Sequence, residues 1–280
     1  MILDLSAATG LPVSLDLETC RLLFHPPLPA MEPAMRPPHL LRAVYRNPGA
    51  NVTRHPPAAQ STGTGARFDE YAREGLYFMY DGVALAQHRA AIAQAGLRYD
   101  LTVLRCLTIG DEPVKTLGHY HTAAPEGMPY PELYQVVFGR AHFVLQRACA
   151  PDYRVEQVVA VDAAAGDTVL MPPGWGHVSI NAGDTPLVMC NWIAAACGTV
   201  PEPYLERRGA ACYEVRGAAG LELTPNPRCA VPCPAAPRRA SPETARLIAP
   251  GPIYAVGVAD LDALSPLVQP TSFQWRAEDL

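Results

Sequence analysis

The chain has 280 residues with a formal net charge of −5, which excludes the concentrated basic surface that a nucleic-acid partner requires. Its hydrophobic content of 49% and a mean hydropathy near zero predict a water-soluble protein with a sizeable core. It contains no uninterrupted apolar run of about 18 residues, so no membrane-spanning helix and no membrane partner are expected.

From the N-terminus, MILDLSAATGLPVSLDLETC carries acidic residues and lacks the basic and apolar regions of a signal peptide. The expectation is a cytoplasmic protein with reduced thiols. The eight cysteines include no CxxC pair; Cys229 and Cys233, in CAVPC, stand nearest one another, and most are read as small buried apolar residues. Residues 25–65 are too rich in proline for a helix or a central strand. They predict an extended arm around the domain or a partner subunit, mobile near Ser61 to Gly65. A short helix is expected at about Phe68 to Glu74, then a strand in LYFMYDGVALA. The predicted divisions are an arm over 1–66, a β domain over 67–215, and a linker with C-terminal extension over 216–280.

Between Arg98 and Ala194 the texture changes. YDLTVLRCLTI, LYQVVFG, AHFVLQRA, YRVEQVVAVD, DTVLMPP, HVSINA and PLVMCNWIAA are short β-branched or aromatic runs separated by Gly, Pro, Asp and Asn. This spacing predicts a mainly β, double-sheet barrel. After Glu202, a short helix and strand lead into the proline-rich NPRCAVPCPAAPRRASPE and a tail apolar enough to dock on the body.

Two stretches carry chemistry. In GHYH, His119 and His121 flank Tyr120, so a strand turns both imidazoles to one face. Glu132 follows after ten residues, TAAPEGMPYP, heading the run ELYQVVFG. Later, GDTVLMPPGWGHVSIN reads as hairpin turn, strand and second turn, bringing His177 into the next strand aimed inward. Glu112 and Glu126 compete for the carboxylate role. His142, in AHFVLQ, lies on a neighbouring strand, while His25, His39, His55 and His88 fall in loop or helical contexts.

These blocks resemble the two cupin motifs. The second fits G(X)5PXG(X)2H(X)3N at Gly166, Pro172, Gly174, His177 and Asn181; the first fits at HxH and E(X)6G, with a longer gap between. The resemblance implies a cupin double-stranded β-helix, a jelly-roll barrel, with His119, His121, Glu132 and His177 holding one divalent metal ion. Fe(II) is the first choice, with Mn(II), Ni(II) or Zn(II) also suited to three imidazoles and a carboxylate.

KTLGHYH with PELYQVVFG is similar to the cupin-type glucose-6-phosphate isomerase family, over roughly residues 75–215. That resemblance implies a glycolytic and gluconeogenic isomerase whose small-molecule partner is a sugar phosphate. It assigns Thr116 and the Gly118 N–H to the phosphate, with Thr102 as a second threonine and Tyr134 beside the metal. Tyr80, or Tyr77, is the tyrosine from the N-terminal flank. Glu132 is a catalytic acid/base. Trp192 stands where the family has a tyrosine after the last barrel strand, so either Tyr204 takes that catalytic role after a small shift or the role is vacant. The same ligand set also suits another sugar isomerase or epimerase, an Fe(II) dioxygenase, or a non-catalytic sugar- or metal-binding cupin. A homodimer using the N-terminal arm to cover a strand edge is expected. TAAPEGMPYP is expected to lid the pocket.

Overall fold

Apolar runs bounded by turn residues become the strands of two sheets that share a core, antiparallel throughout except where Arg238–Arg239 pairs parallel to Arg154–Ala164. The computed structural model describes residues 1–54, 74–218, 220–240 and 247–276. The end of the arm, including Ser61 to Gly65 and His55, and nearly all of the helix expected at Phe68 to Glu74, lie outside the described residues.

A six-stranded sheet carries, in spatial order, Thr168–Met171, Glu132–Phe138, Leu187–Ala194, Leu97–Leu104, Tyr77–Tyr80 and Ala34–Arg36. A four-stranded sheet carries Trp175–Asn181, Arg140–Cys149, Arg154–Ala164 and Arg238–Arg239. Leu104, Val136 and Met189 of the first meet Phe143, Leu145 and Val161 of the second in one buried cluster.

The fold is mainly β, but among the described residues no sheet closes into a barrel, which corrects the jelly-roll barrel expected from the sequence. The larger sheet ends on Thr168–Met171 and Ala34–Arg36, the smaller on Trp175–Asn181 and Arg238–Arg239. At Pro172 to Gly174 the chain leaves the edge of one sheet and enters the edge of the other without pairing the two. Short strands from the terminal segments occupy the far edges instead. Run length and turn spacing are shared by open sandwiches and closed barrels, and edge pairing alone separates them.

Period-two alternation divides each strand between two environments. On the outer face of the larger sheet, Leu101, Leu133 and Trp192 pack beneath terminal segments. The first 24 residues form a three-stranded sheet there, Ile2–Asp4, Val13–Asp16 and Arg21–Phe24. The C-terminal helix Ile253–Ala259 joins it. Trp192 Nε1 donates to the Ile253 carbonyl at 2.7 Å, and its ring stacks on Tyr254 with centroids 6.0 Å apart. The structure also joins Cys212 to Cys233 in a disulfide across 21 residues, tying strand Cys212–Gly217 to the proline-rich segment. Motif spacing misses this pair because its sulfurs meet only through the fold. Among the described residues no helix is long and apolar enough to cross a membrane.

Candidate metal centre

Backbone register builds the site. Residues 114–119 run antiparallel to Trp175–Asn181: Asn181 N–H donates to the Val114 carbonyl at 2.9 Å, and Thr116 N–H to that of Ser179 at 2.9 Å. His119 and His177 then exchange backbone hydrogen bonds of 3.3 and 3.1 Å, which sets their rings 4.7 Å apart between centroids. The His121 ring lies 5.2 Å from His119 and 5.4 Å from His177. Glu132 reaches in from the larger sheet, its Oε2 3.3 Å from His121 Nε2 and 3.4 Å from His177 Nε2. One potential ligand atom from each of the four residues lies within 4.8 Å of the others.

The electrostatics fit a cation. His121 Nδ1 lies 2.8 Å from the Tyr130 carbonyl oxygen, an acceptor, so Nδ1 carries the proton and Nε2 presents a lone pair. Burial pushes His119 down to about 3, with His121 adding to the fall, and burial likewise holds His177 well below the usual histidine range. The His119 and His177 imidazoles are therefore neutral ligands. His121 Nε2 and Glu132 Oε2 are buried, face one another and have no hydrogen-bond partner. Two lone pairs so placed repel unless a cation sits between them. Three nitrogens and one oxygen suit one divalent transition-metal ion.

A cavity of about 450 Å³ opens over this cluster, bounded by His119, Glu132 and His177 and extending to Thr102, Thr116 and Gly118. Tyr134 also lines it, its hydroxyl 3.4 Å from His177 Nε2. Burial, reinforced by the Glu132 charge, raises the Tyr134 phenol well above its usual range and keeps it protonated. Arg98 and Asp100 line the cavity too and were not singled out in the sequence. Their signal is period two: Arg98, Asp100 and Thr102 alternate along Leu97–Leu104 and share a face. Burial pushes the Asp100 carboxyl up to about 6, against the pull of Arg98.

Other expected residues are placed elsewhere. Tyr80 faces the outer core, where its hydroxyl accepts from Leu22 N–H at 2.9 Å; Tyr77 and Met79, on the opposite face of the same strand, line the cavity. The TAAPEGMPYP stretch folds as a hairpin, with Ala124 N–H donating to the Met128 carbonyl and Tyr130 N–H to that of Thr122. None of its residues lines the cavity; it meets the site through the Tyr130 carbonyl that orients His121 and through hydrogen bonds between Thr122 and the cavity-wall residue Gly198. Glu112 pairs with Lys115, and Glu126 is exposed at the hairpin tip. His142 Nδ1 meets Glu214 at 2.5 Å, on the face of its strand opposite Phe143 and Leu145.

Tyr204 is fully buried behind the cavity wall, with Tyr120 and Val178. Its hydroxyl has no hydrogen-bond partner, and burial keeps the phenol protonated. Removing an unpartnered hydroxyl costs nothing and adds up to about 1 kcal/mol of stability. Tyr204→Phe is therefore expected to keep turnover unchanged and the melting temperature equal or higher. A proton-transfer role would appear instead as a loss of about 100-fold or more in kcat.

The Tyr204 ring also explains Gly118. A Cβ there would lie 2.5 Å from Tyr204 Cδ1 and 2.6 Å from Val178 Cγ2, and the backbone φ is +83°. Gly118→Ala is expected to destabilise by about 2–4 kcal/mol, from left-handed strain plus overpacking. Thermal unfolding reads this directly, and an unchanged melting temperature would contradict the packing described.

The family model for glucose-6-phosphate isomerase (GPI) matches residues 51–227 of this chain. The chain is 28% identical over 125 residues to the glucose-6-phosphate isomerase of Thermococcus litoralis, covering 45% of this chain and 59% of that protein. It is 32% identical over 121 residues to that of Thermococcus onnurineus, covering 43% and 57%. To that of Thermococcus gammatolerans it is 27% identical over 169 residues, covering 58% and 81%. The chain thus spans less than two thirds of the first two relatives. The four clustered residues fall inside the matched segment; Ala34–Arg36 and the C-terminal helix fall outside it.

Proposed function

The chain belongs to the glucose-6-phosphate isomerase family, and from that premise we propose that it interconverts glucose 6-phosphate and fructose 6-phosphate in this cavity. The observation that carries the reading is one cavity holding both ligand-cluster residues and a set of neutral anion donors. Those donors are the hydroxyls of Thr102 and Thr116 and the Gly118 N–H.

The two sugar phosphates differ by a hydrogen moved between C1 and C2 and an exchange of carbonyl and hydroxyl. When bound, a divalent cation, Fe(II) first and Mn(II), Ni(II) or Zn(II) as alternatives, supplies Lewis acidity to charge developing on the substrate oxygens. Glu132 takes the proton from one carbon and returns it to the other. His119 and His177, held neutral by burial, would hold the cation together with His121 and Glu132, and the protonated Tyr134 phenol donates to a substrate oxygen. Thr102, Thr116 and Gly118 hold the phosphoryl end, so that C1 and C2 stay over Glu132.

Glu132 Oε2 stands within 3.4 Å of two ligand nitrogens, and a ligating carboxylate is a weakened base. This favours a second route, in which hydride passes directly between C1 and C2. Turnover in D2O separates the two: deuterium enters the carbon position by the proton route only. The reading itself is tested by coupling glucose 6-phosphate formation from fructose 6-phosphate to a dehydrogenase. Turnover is expected, and a folded protein inactive with each of the four cations would remove it.

A further inference from the structure

The cavity has a second charged wall that comes from outside the family match. Arg36 ends the edge strand Ala34–Arg36, paired opposite Tyr77, and its side chain lines the same cavity as Thr102, Thr116 and Gly118. The family match begins at residue 51, so this arginine is brought by the N-terminal segment. The Tyr77 hydroxyl accepts from Leu117 N–H at 3.4 Å, and the Arg36 guanidinium interacts with that same hydroxyl, opposing the rise that burial imposes on the phenol. Arg36 therefore stands beside the backbone that joins Thr116 to Gly118.

The other arginine of the cavity is committed. Arg98 Nε lies 2.9 Å from both Asp100 carboxylate oxygens, and its neighbours in the sheet are Ile193 and then Glu132. Arg36 makes no ion pair with a carboxylate among the described residues. Asp81, Asp100 and Glu132 line the same cavity. A dianionic ligand entering these acidic surroundings is repelled unless a cation meets its charged end. A half-buried guanidinium with no carboxylate partner among the described residues, next to hydroxyl and N–H donors, is suited to a phosphoryl group, which it meets with two parallel hydrogen bonds.

We propose that Arg36 binds the phosphoryl group of the substrate, so that the N-terminal segment completes the phosphate end of the cavity and sets the preference for phosphorylated over free sugars. This rests on the isomerase reading for the reaction but not for the binding, and the two are measured apart. Charge-assisted hydrogen bonds of this kind are worth roughly 10- to 100-fold in affinity. Arg36→Gln is expected to raise the KM for fructose 6-phosphate by that factor, to leave kcat within about threefold, and to leave the melting temperature unchanged. By calorimetry, the wild-type chain is expected to bind fructose 6-phosphate well above fructose, and Arg36→Gln to lose most of that difference. Arg36→Lys, a point charge without the fork, is expected to recover part of it. Failure of the isomerase reading shows as a wild-type chain that does not turn over. The present proposal is overturned if Arg36→Gln binds fructose 6-phosphate as the wild type does, or if neither protein distinguishes it from fructose.

Discussion

Glu132→Gln is expected to lower isomerisation by about 1,000-fold, within the range that a positioned acid/base contributes. The amide keeps the carboxylate's shape and removes its charge. The buried carboxylate oxygen faces the lone pair of His121 Nε2 without a partner, so without metal it stores an unmet electrostatic cost. Metal-free Glu132→Gln is therefore expected to melt at or above metal-free wild type, by the equivalent of about 1–2 kcal/mol. With metal the order reverses, because the wild type gains more binding energy. Glu126→Gln, at the exposed hairpin tip, is expected to change neither activity nor metal retention. Activity within tenfold of wild type for Glu132→Gln would remove Glu132 from the reaction.

His177→Ala is expected to remove metal and activity together. His177 is buried, and its backbone bonds to His119 fix the register of the strip bearing both other imidazoles. Loss of groups that merely orient a ligand costs 10- to 100-fold in metal affinity, so loss of the ligand itself is expected to cost at least about 100-fold. The backbone bonds do not depend on the side chain, so strand register and the far-ultraviolet spectrum are expected to persist. Metal content measured after dialysis, alongside turnover, reads the outcome. Unchanged occupancy in a folded variant would mean that the metal is held elsewhere.

The four-residue cluster was legible in the sequence because it depends on short-range geometry. His119 and His121 share a face by period two, and PPGWG is a local turn that starts the strand carrying His177. Glu132 was legible for the same reason, as the head of an uninterrupted apolar strand. The face of a strand was harder to read. Tyr77 and Tyr80 lie three residues apart and so point to opposite sides, and only packing of residues 1–24 on the outer sheet decides which side is interior. The same covering turns Trp192 outward and anchors it on Ile253. Barrel closure was not legible, since it depends on which edges meet, and neither was the link from Cys212 to Cys233. Arg36 was hidden by the surrounding prolines, which suggested an arm, although Ala34–Arg36 pairs as an ordinary edge strand.

Titrating a divalent cation into EDTA-stripped protein while following fructose 6-phosphate turnover joins the cluster to the chemistry most directly. Among the described residues one such cluster exists. Activity is expected to be absent in the stripped protein, to rise in proportion to added metal, and to saturate at one equivalent per chain, with no rise for His177→Ala. Full activity in the stripped protein, or saturation unrelated to metal bound at this cluster, would contradict the assignment.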